Sequence, residues 1–136
     1  MASTSLINKQ RMAVTRAAEA RLLAELHRPV RITRDPETGW CLASRGQFIL
    51  AEEESVAALH HDNLRRTEEH ITVALALLGQ LHGQMTVTSL FSRTAAKLGG
   101  KPGNKFWVAY HALLRANIIK FTFGLGLGRV EAVGEV

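Results

Sequence analysis

The residues most suited to binding a metal ion lie close together in the middle of the chain. They are His60, His61, Asp62, Glu69 and His70. Imidazoles and carboxylates are the usual ligands of catalytic zinc, but a zinc-binding helix carries them in a His-Glu-x-x-His spacing, which this segment lacks. We also expect a helix break between His61 and His70, which would hold the two groups apart. The sequence therefore predicts solvated polar side chains here and no metal site.

The side chains that could act as nucleophiles form no recognisable catalytic arrangement. Cys41 is the single cysteine, and strand alternation is expected to turn it outward with no base beside it. The chain has no Gly-x-Ser-x-Gly elbow, and no acid and histidine can be assigned beside a serine or threonine. We therefore expect neither an enzyme nor a cofactor. One cysteine cannot form an internal disulfide, which favours a reducing compartment and a cytoplasmic location.

The basic residues indicate a different chemistry, the recognition of a polyanion. The chain carries 17 Lys and Arg against 12 Asp and Glu, a net charge of +5, and its pI is about 10.0. Residues 1–34 hold seven bases and two acids, residues 35–70 hold three and eight, and residues 71–136 hold seven and two. The two basic ends are therefore expected to face a polyanion, while the acidic middle faces solvent or another surface.

The first half of the chain predicts a helix followed by a small sheet. Residues 5–27 are rich in helix-forming side chains, and Pro29 ends the run. This helix is either a basic arm or a packing helix. Three short segments, 30–34, 40–44 and 47–50, then predict an antiparallel meander whose core face is formed by alternate apolar residues. Those residues are Trp40, Leu42, Phe48 and Leu50. Glu52, Glu53 and Glu54 are expected to open a further helix that ends at Leu64.

The second half predicts three helices and a hairpin. Thr67 is a plausible N-cap for a helix that ends at Gly83, and Met85 to Val87 could form a very short strand. Thr88 or Ser89 caps the next helix, which stops at a glycine-rich break over residues 99–103. Asn104 caps the third helix. Strands follow at 118–123 and 129–133, joined by the sequence Gly-Leu-Gly-Leu-Gly.

This order of elements makes residues 67–133 resemble the winged helix-turn-helix superfamily. The resemblance implies that the third helix, residues 104–117, enters the DNA major groove and that residues 123–129 form the wing. The predicted fold is then α+β, with an N-terminal helix and three-stranded antiparallel meander in residues 1–64 and a winged-helix domain in residues 65–136. The implied function is a small regulator that binds duplex DNA, of prokaryotic, plasmid or phage type.

The candidate DNA-contacting side chains lie on the outer face of the third helix and around it. They are Asn104, Lys105, Val108, His111, Ala112 and Arg115 on that helix, and Arg93, Lys97, Lys101, Lys120 and Arg129 elsewhere. Lysine and arginine suit guanine acceptors or phosphates, and small side chains allow the backbone to approach the bases.

The hairpin tip favours an alternative partner. A DNA-binding wing usually carries basic residues, but here Leu125 and Leu127 stand between glycines with only Arg129 beside them. Exposed leucines gain free energy from a protein contact or a homodimer interface, which phosphate cannot supply. A winged-helix interaction or assembly subunit, within a nucleoprotein complex or outside one, is therefore the second interpretation.

A membrane is not expected to be a partner. The longest nearly apolar run, residues 71–81, is about half of the ~20 residues that a helix needs to span a bilayer.

Overall fold

The computed structural model describes the backbone of residues 2–100 and 103–133, and within them the side chains outside 2–12 and 60–69. These residues form four helices and five strands, a mixed α+β arrangement, as the sequence predicts. In chain order the elements are α1 (Ala2–Leu26), β1 (Val30–Arg34), β2 (Cys41–Arg45), β3 (Phe48–Glu53), α2 (Val56–Gln80), α3 (Val87–Lys97), α4 (Asn104–Arg115), β4 (Ile119–Gly124) and β5 (Leu127–Ala132).

Strands β1, β2 and β3 form an antiparallel sheet in chain order, which confirms the predicted meander. Phe48 and Leu50 of β3 are buried, also as predicted. The loop before β3 has two residues, so Arg45 lies opposite Phe48 and shares its face. Because side chains alternate along a strand, Cys41 lies on this inner face and is only 2% exposed. Trp40, which precedes β2, is 41% exposed, and Leu42 lies on the face of β2 opposite Cys41 and is only partly buried. The prediction that Trp40 and Leu42 point inward and Cys41 outward is therefore wrong.

The turn between β2 and β3 is fastened to the C-terminal end of α1. The Arg45 guanidinium donates hydrogen bonds to the carbonyls of Leu26, at 3.2 Å, and Arg28, at 3.1 Å. These carbonyls have no partner within a helix, and a cation is favourable at a helix C-terminus. The Glu25 carboxylate accepts a hydrogen bond of 2.6 Å from the backbone N–H of Gln47. The α1 helix therefore holds the sheet at its turn.

Gly46 is the residue of this turn that tolerates substitution least. Its φ is +57°, and an added Cβ would overlap the Glu25 carboxylate. We expect Gly46→Ala to lower the free energy of unfolding by about 2 kcal/mol, about half from the positive φ and about half from the disturbed hydrogen bond. Gly39→Ala is the matched control, because Gly39 has a φ of +74° and open space around it. Equal losses in urea denaturation of the two variants would show that the Glu25 contact contributes nothing.

Helix α2 is a single helix across the position where two helices were predicted. It begins after Ser55, whose hydroxyl accepts a hydrogen bond of 3.2 Å from the N–H of Ala58, and it continues to Gln80. The predicted helix start at Glu52 and the predicted break before Thr67 are therefore wrong. The segment between them contains no Gly or Pro, and a threonine alone does not stop a helix. His61 and His70 consequently lie on one helix.

Helices α3 and α4 begin close to the predicted positions, although different residues cap them. Thr86, rather than Thr88 or Ser89, caps α3, and its hydroxyl accepts a hydrogen bond of 3.2 Å from the N–H of Ser89. Gly103, with a φ of +62°, is the cap of α4, so Asn104 is the first helical residue.

Strands β4 and β5 form the predicted hairpin, joined by a two-residue turn. Leu125 and Gly126 both have positive φ, at 53° and 76°, which corresponds to a type I′ turn. The predicted short strand after α2 is present as one bridge between Met85 and Val130, with backbone hydrogen bonds of 2.9 and 2.7 Å.

One hydrophobic core joins the two halves of the chain. It contains Leu22 of α1, Phe48 of β3, Leu77 of α2, Leu113 of α4 and Val130 of β5, all less than 2% exposed. The boundary predicted between residues 64 and 65 falls inside α2. Among the helices that the structure describes, none is both long and apolar enough to cross a membrane.

Candidate functional site

Helix α4 presents most of its predicted outer residues to solvent. Asn104, Lys105, Val108, His111 and Arg115 are exposed, as the outward face predicts. Ala112 is different, because it is only 5% exposed and belongs to the core. The prediction that Ala112 lies on the outer face of the helix is therefore wrong. The physical reason is that strand β3 packs beside α4 and narrows the free face of the helix.

An aromatic cluster fixes the orientation of α4. The ring of Phe106 is fully buried and lies 4.9 Å from Phe91, 5.0 Å from Trp107 and 6.0 Å from Tyr110, measured between ring centres. Trp107 stacks on Phe91 near the surface and is 42% exposed. Burial raises the pKa of the Tyr110 phenol, so this side chain stays neutral and acts as a packing group.

A groove of about 910 Å³ separates β3 from α4, and we call it the α4–β3 groove. Strand β3 contributes the consecutive residues 49–53, and α2 contributes His70. The register of β3 against β2 shifts at Leu50, so the side chains of this segment do not alternate strictly between the two faces of the sheet. The α4 stripe that lines the opposite wall is Asn104, Lys105, Trp107, Val108, His111, Ala112 and Arg115.

The charges in the α4–β3 groove are balanced between its two walls. Glu52 and Glu53 belong to the β3 wall, whereas Lys105 and Arg115 belong to the α4 wall. Arg115 forms an ion pair with Glu52. An ion pair between two partly exposed side chains contributes little to stability, but it orients the guanidinium toward β3. The groove therefore has no net charge to attract a polyanion.

The remaining predicted DNA-contacting cations lie outside the groove. Arg93 and Lys97 are exposed on α3, and Arg129 is exposed on β5. Lys120 is 3.2 Å from the carboxylate of Glu131 on the neighbouring strand, so this cation is paired. Lys101 lies outside the described residues. The structure thus gathers the α4 residues into one groove and distributes the other cations over α3 and the hairpin.

The hairpin carries a row of apolar side chains that runs out of the core. Ile119, Phe121 and Phe123 share one face of β4, opposite Ala132, Val130 and Gly128 of β5. Ile119 is buried, but exposure rises to 47% at Phe121 and 70% at Phe123. Leu125 at the turn is fully exposed. Leu127 is 49% exposed and lies opposite Gly124, so it points to the other face of the hairpin. We call Phe121, Phe123, Leu125 and Leu127 the hairpin patch.

Sequence reasoning identified the two leucines of the hairpin patch and missed the two phenylalanines. The alternation of Ile119, Phe121 and Phe123 predicts a common face, and that signal was available. The alternation alone does not reveal that β4 extends out of the core after Ile119. Exposure of Phe123 depends on the length of β4 relative to the core, which only the assembled fold defines.

The described side chains offer no metal centre. No group of three or more His, Cys, Asp or Glu among them is placed to hold an ion. The side chains of His60, His61, Asp62 and Glu69 lie outside the described residues, so the prediction about this segment stays a prediction.

No family model matches the chain, and no match is found among curated proteins or solved structures. The functional argument therefore depends on the geometry of the α4–β3 groove and the hairpin patch.

Proposed function

We propose that this chain is a winged-helix protein-interaction module that docks onto a protein through its hairpin. The observation that carries the proposal is the hairpin patch. Its four large side chains lie on both faces of the hairpin end and are on average about two thirds exposed, which at roughly 200 Å² for each gives a total apolar area of roughly 500 Å². Apolar patches of this size on a soluble monomer are often functional.

The order and pairing of the elements support the winged-helix part of the proposal. Helices α2, α3 and α4 precede the β4–β5 hairpin. The bridge from Met85 to Val130 adds the segment between α2 and α3 to the edge of β5. A winged helix combines three helices with a small sheet of this kind. The resemblance drawn from the sequence covers residues 67–133, which include the C-terminal part of α2, both later helices and the hairpin.

The surroundings of α4 favour a protein partner over insertion of this helix into DNA for sequence-specific contacts with the bases. An α-helix with its side chains is about 10–12 Å across, which already fills the ~12 Å major groove. Strand β3 lies beside α4 and adds width as well as the negative charges of Glu52 and Glu53. In addition, Arg115 and Lys120 are already paired with carboxylates. A phosphate that approached Arg115 would therefore compete with the Glu52 carboxylate and would be repelled by Glu52 and Glu53.

Duplex DNA is the second candidate, and a specific observation favours it. Arg93, Lys97 and Arg129 are exposed cations outside the groove, and the chain has a net charge of +5. Contacts from side chains of this kind would be to phosphates and would not read sequence. The second candidate is therefore a DNA-associated protein with little sequence preference.

The double variant Leu125→Ser/Leu127→Ser tests the proposed function. We expect it to keep the parent's circular dichroism and melting temperature, because exposed side chains contribute little to the core. In affinity capture from the native host after nuclease treatment, we expect the amount of each protein captured by this variant to be at least tenfold lower than the amount captured by the parent. Arg93→Ala/Lys97→Ala is the matched control and should retain them.

The opposite pattern would contradict the proposal. If nuclease removes every partner and the Arg93→Ala/Lys97→Ala variant loses them, the cations are the binding surface. Fluorescence anisotropy with random duplex at two salt concentrations then measures the phosphate contacts, because affinity falls steeply with salt when they exist. A large fall in the melting temperature of the leucine variant would instead show that the hairpin tip is buried.

A further inference from the structure

The hairpin patch and the α4–β3 groove are complementary surfaces on the same chain. We propose that the hairpin of one copy enters the α4–β3 groove of a second copy, and that the second copy returns the contact. This inference deepens the proposed function and rests on it, because it identifies a second copy of the chain as a partner of the hairpin.

Both surfaces have a strand edge available for pairing. The sheet order β1-β2-β3 places β3 at an edge of the sheet, and residues 49–53 of this edge strand line the groove. Strand β4 pairs only with β5 among the strands that the structure describes. Strand β3 has six residues, so its edge is about 20 Å long. The part of β4 that projects from the core, residues 121–124, is about 13 Å long and fits within that edge. An extended strand can add to an open sheet edge through main-chain hydrogen bonds.

The charges of the two surfaces also match. The hairpin segment 121–128 contains no ionisable side chain. The groove is neutral overall, with Glu52 and Arg115 paired to each other, and its walls include Ile49, Trp107 and Val108. An uncharged apolar strand can enter such a groove without leaving a buried unpaired charge, whereas an acidic or a basic segment could not.

The area of the contact favours a reciprocal pair over a one-way contact. The hairpin patch supplies roughly 500 Å², so one hairpin in one groove buries about 1,000 Å² when both sides are counted, which is below the 1,200–2,000 Å² of stable interfaces. Two such contacts bury about 2,000 Å² in total. A one-way contact would also leave a hairpin and a groove open and would propagate into a chain of copies, whereas the reciprocal arrangement closes.

Sedimentation equilibrium of the purified chain and three variants tests the inference. The parent is expected to form a dimer whose population rises with concentration. Phe123→Ser in the hairpin and Val108→Glu in the groove should each raise the dimer dissociation constant at least tenfold. Both residues are exposed in the single copy, so both variants should fold. Arg93→Glu on α3, outside both surfaces, should dimerise as the parent does.

Mixing the two monomeric variants separates this arrangement from pairing between two hairpins. A Phe123→Ser chain still has an intact groove, and a Val108→Glu chain still has an intact hairpin. The mixture should therefore form a heterodimer through one remaining contact, with a dissociation constant above that of the parent dimer and below that of either variant alone. If the Val108→Glu chain dimerises as well as the parent, the hairpin docks elsewhere and the inference is wrong.

Disulfide trapping tests the same contact directly. In a Cys41→Ser background, chains with Leu125→Cys and chains with Val108→Cys should form a disulfide when mixed and not when kept apart. A disulfide between two Leu125→Cys chains alone would overturn the inference in favour of hairpin pairing.

Failure of the inference and failure of the proposed function give different results. If the parent is a monomer at every concentration but the leucine variant loses its captured proteins, the inference is wrong and the proposed function stands. If the leucine variant both dimerises and captures proteins as the parent does, both are wrong.

Discussion

Replacing Phe106 by alanine is expected to lower the free energy of unfolding by about 4 kcal/mol, because the change removes a buried aromatic ring and leaves a cavity. The ring is fully buried and contacts three other aromatic rings with centre distances of 4.9 to 6.0 Å. Each aromatic pair contributes stabilising free energy beyond that of the apolar area it buries. Domains of this size have a total stability of roughly 5–15 kcal/mol, so a large part of it would be lost.

Urea denaturation of the Phe106→Ala and Phe123→Ala variants checks this prediction. Phe123 is 70% exposed at the end of the hairpin, so its variant should lose no more than about 0.5 kcal/mol. A similar loss in the two variants would mean that the aromatic cluster is not part of the core. A large loss only in Phe123→Ala would mean that the hairpin, rather than α4, is buried.

The fragment of residues 65–136 is expected not to fold by itself. It would begin inside α2 and would lack Leu22, Phe48 and Leu50, which cover the inner side of the helices. Losing each of these side chains costs about 2–5 kcal/mol, and together they approach the whole stability of a domain. The fragment should therefore show no cooperative thermal transition by circular dichroism, whereas the full chain should show one. A sharp transition and well-dispersed amide resonances for the fragment would establish two independent folding units.

The order of elements was predictable from sequence because it depends on local signals. Pro29 ends α1, alternation marks the strands, and the glycines around residue 100 separate α3 from α4. The errors concern positions where local signals are weak. Thr67 is an acceptable N-cap, but α2 continues through it because its apolar face packs on the sheet and on α4. The two-residue turn after β2 places Arg45 opposite Phe48, and this pairing decides which β2 side chains face the core. Cys41 points inward for this reason.

The candidate site was predictable only in part. The α4 stripe follows from helical periodicity, and five of its six predicted residues are exposed. The opposite wall could not be predicted, because it requires β3 to lie beside a helix that begins about fifty residues later in the chain. Pairing of Arg115 with Glu52 depends on the same long-range contact. Contacts between distant segments are set by the packing of the whole core, which periodicity does not encode.

The turn of the β4–β5 hairpin holds a leucine in a conformation that is unfavourable for it. A type I′ turn is most stable with Asn-Gly, since asparagine and glycine tolerate positive φ, whereas leucine in that conformation costs about 1–2 kcal/mol. Leu125 nevertheless occupies the first turn position with a φ of 53°. A fully exposed leucine gives the isolated chain no burial in return. The hairpin is therefore less stable alone than it would be with asparagine at this position, and a second surface that covered the leucine would recover the difference.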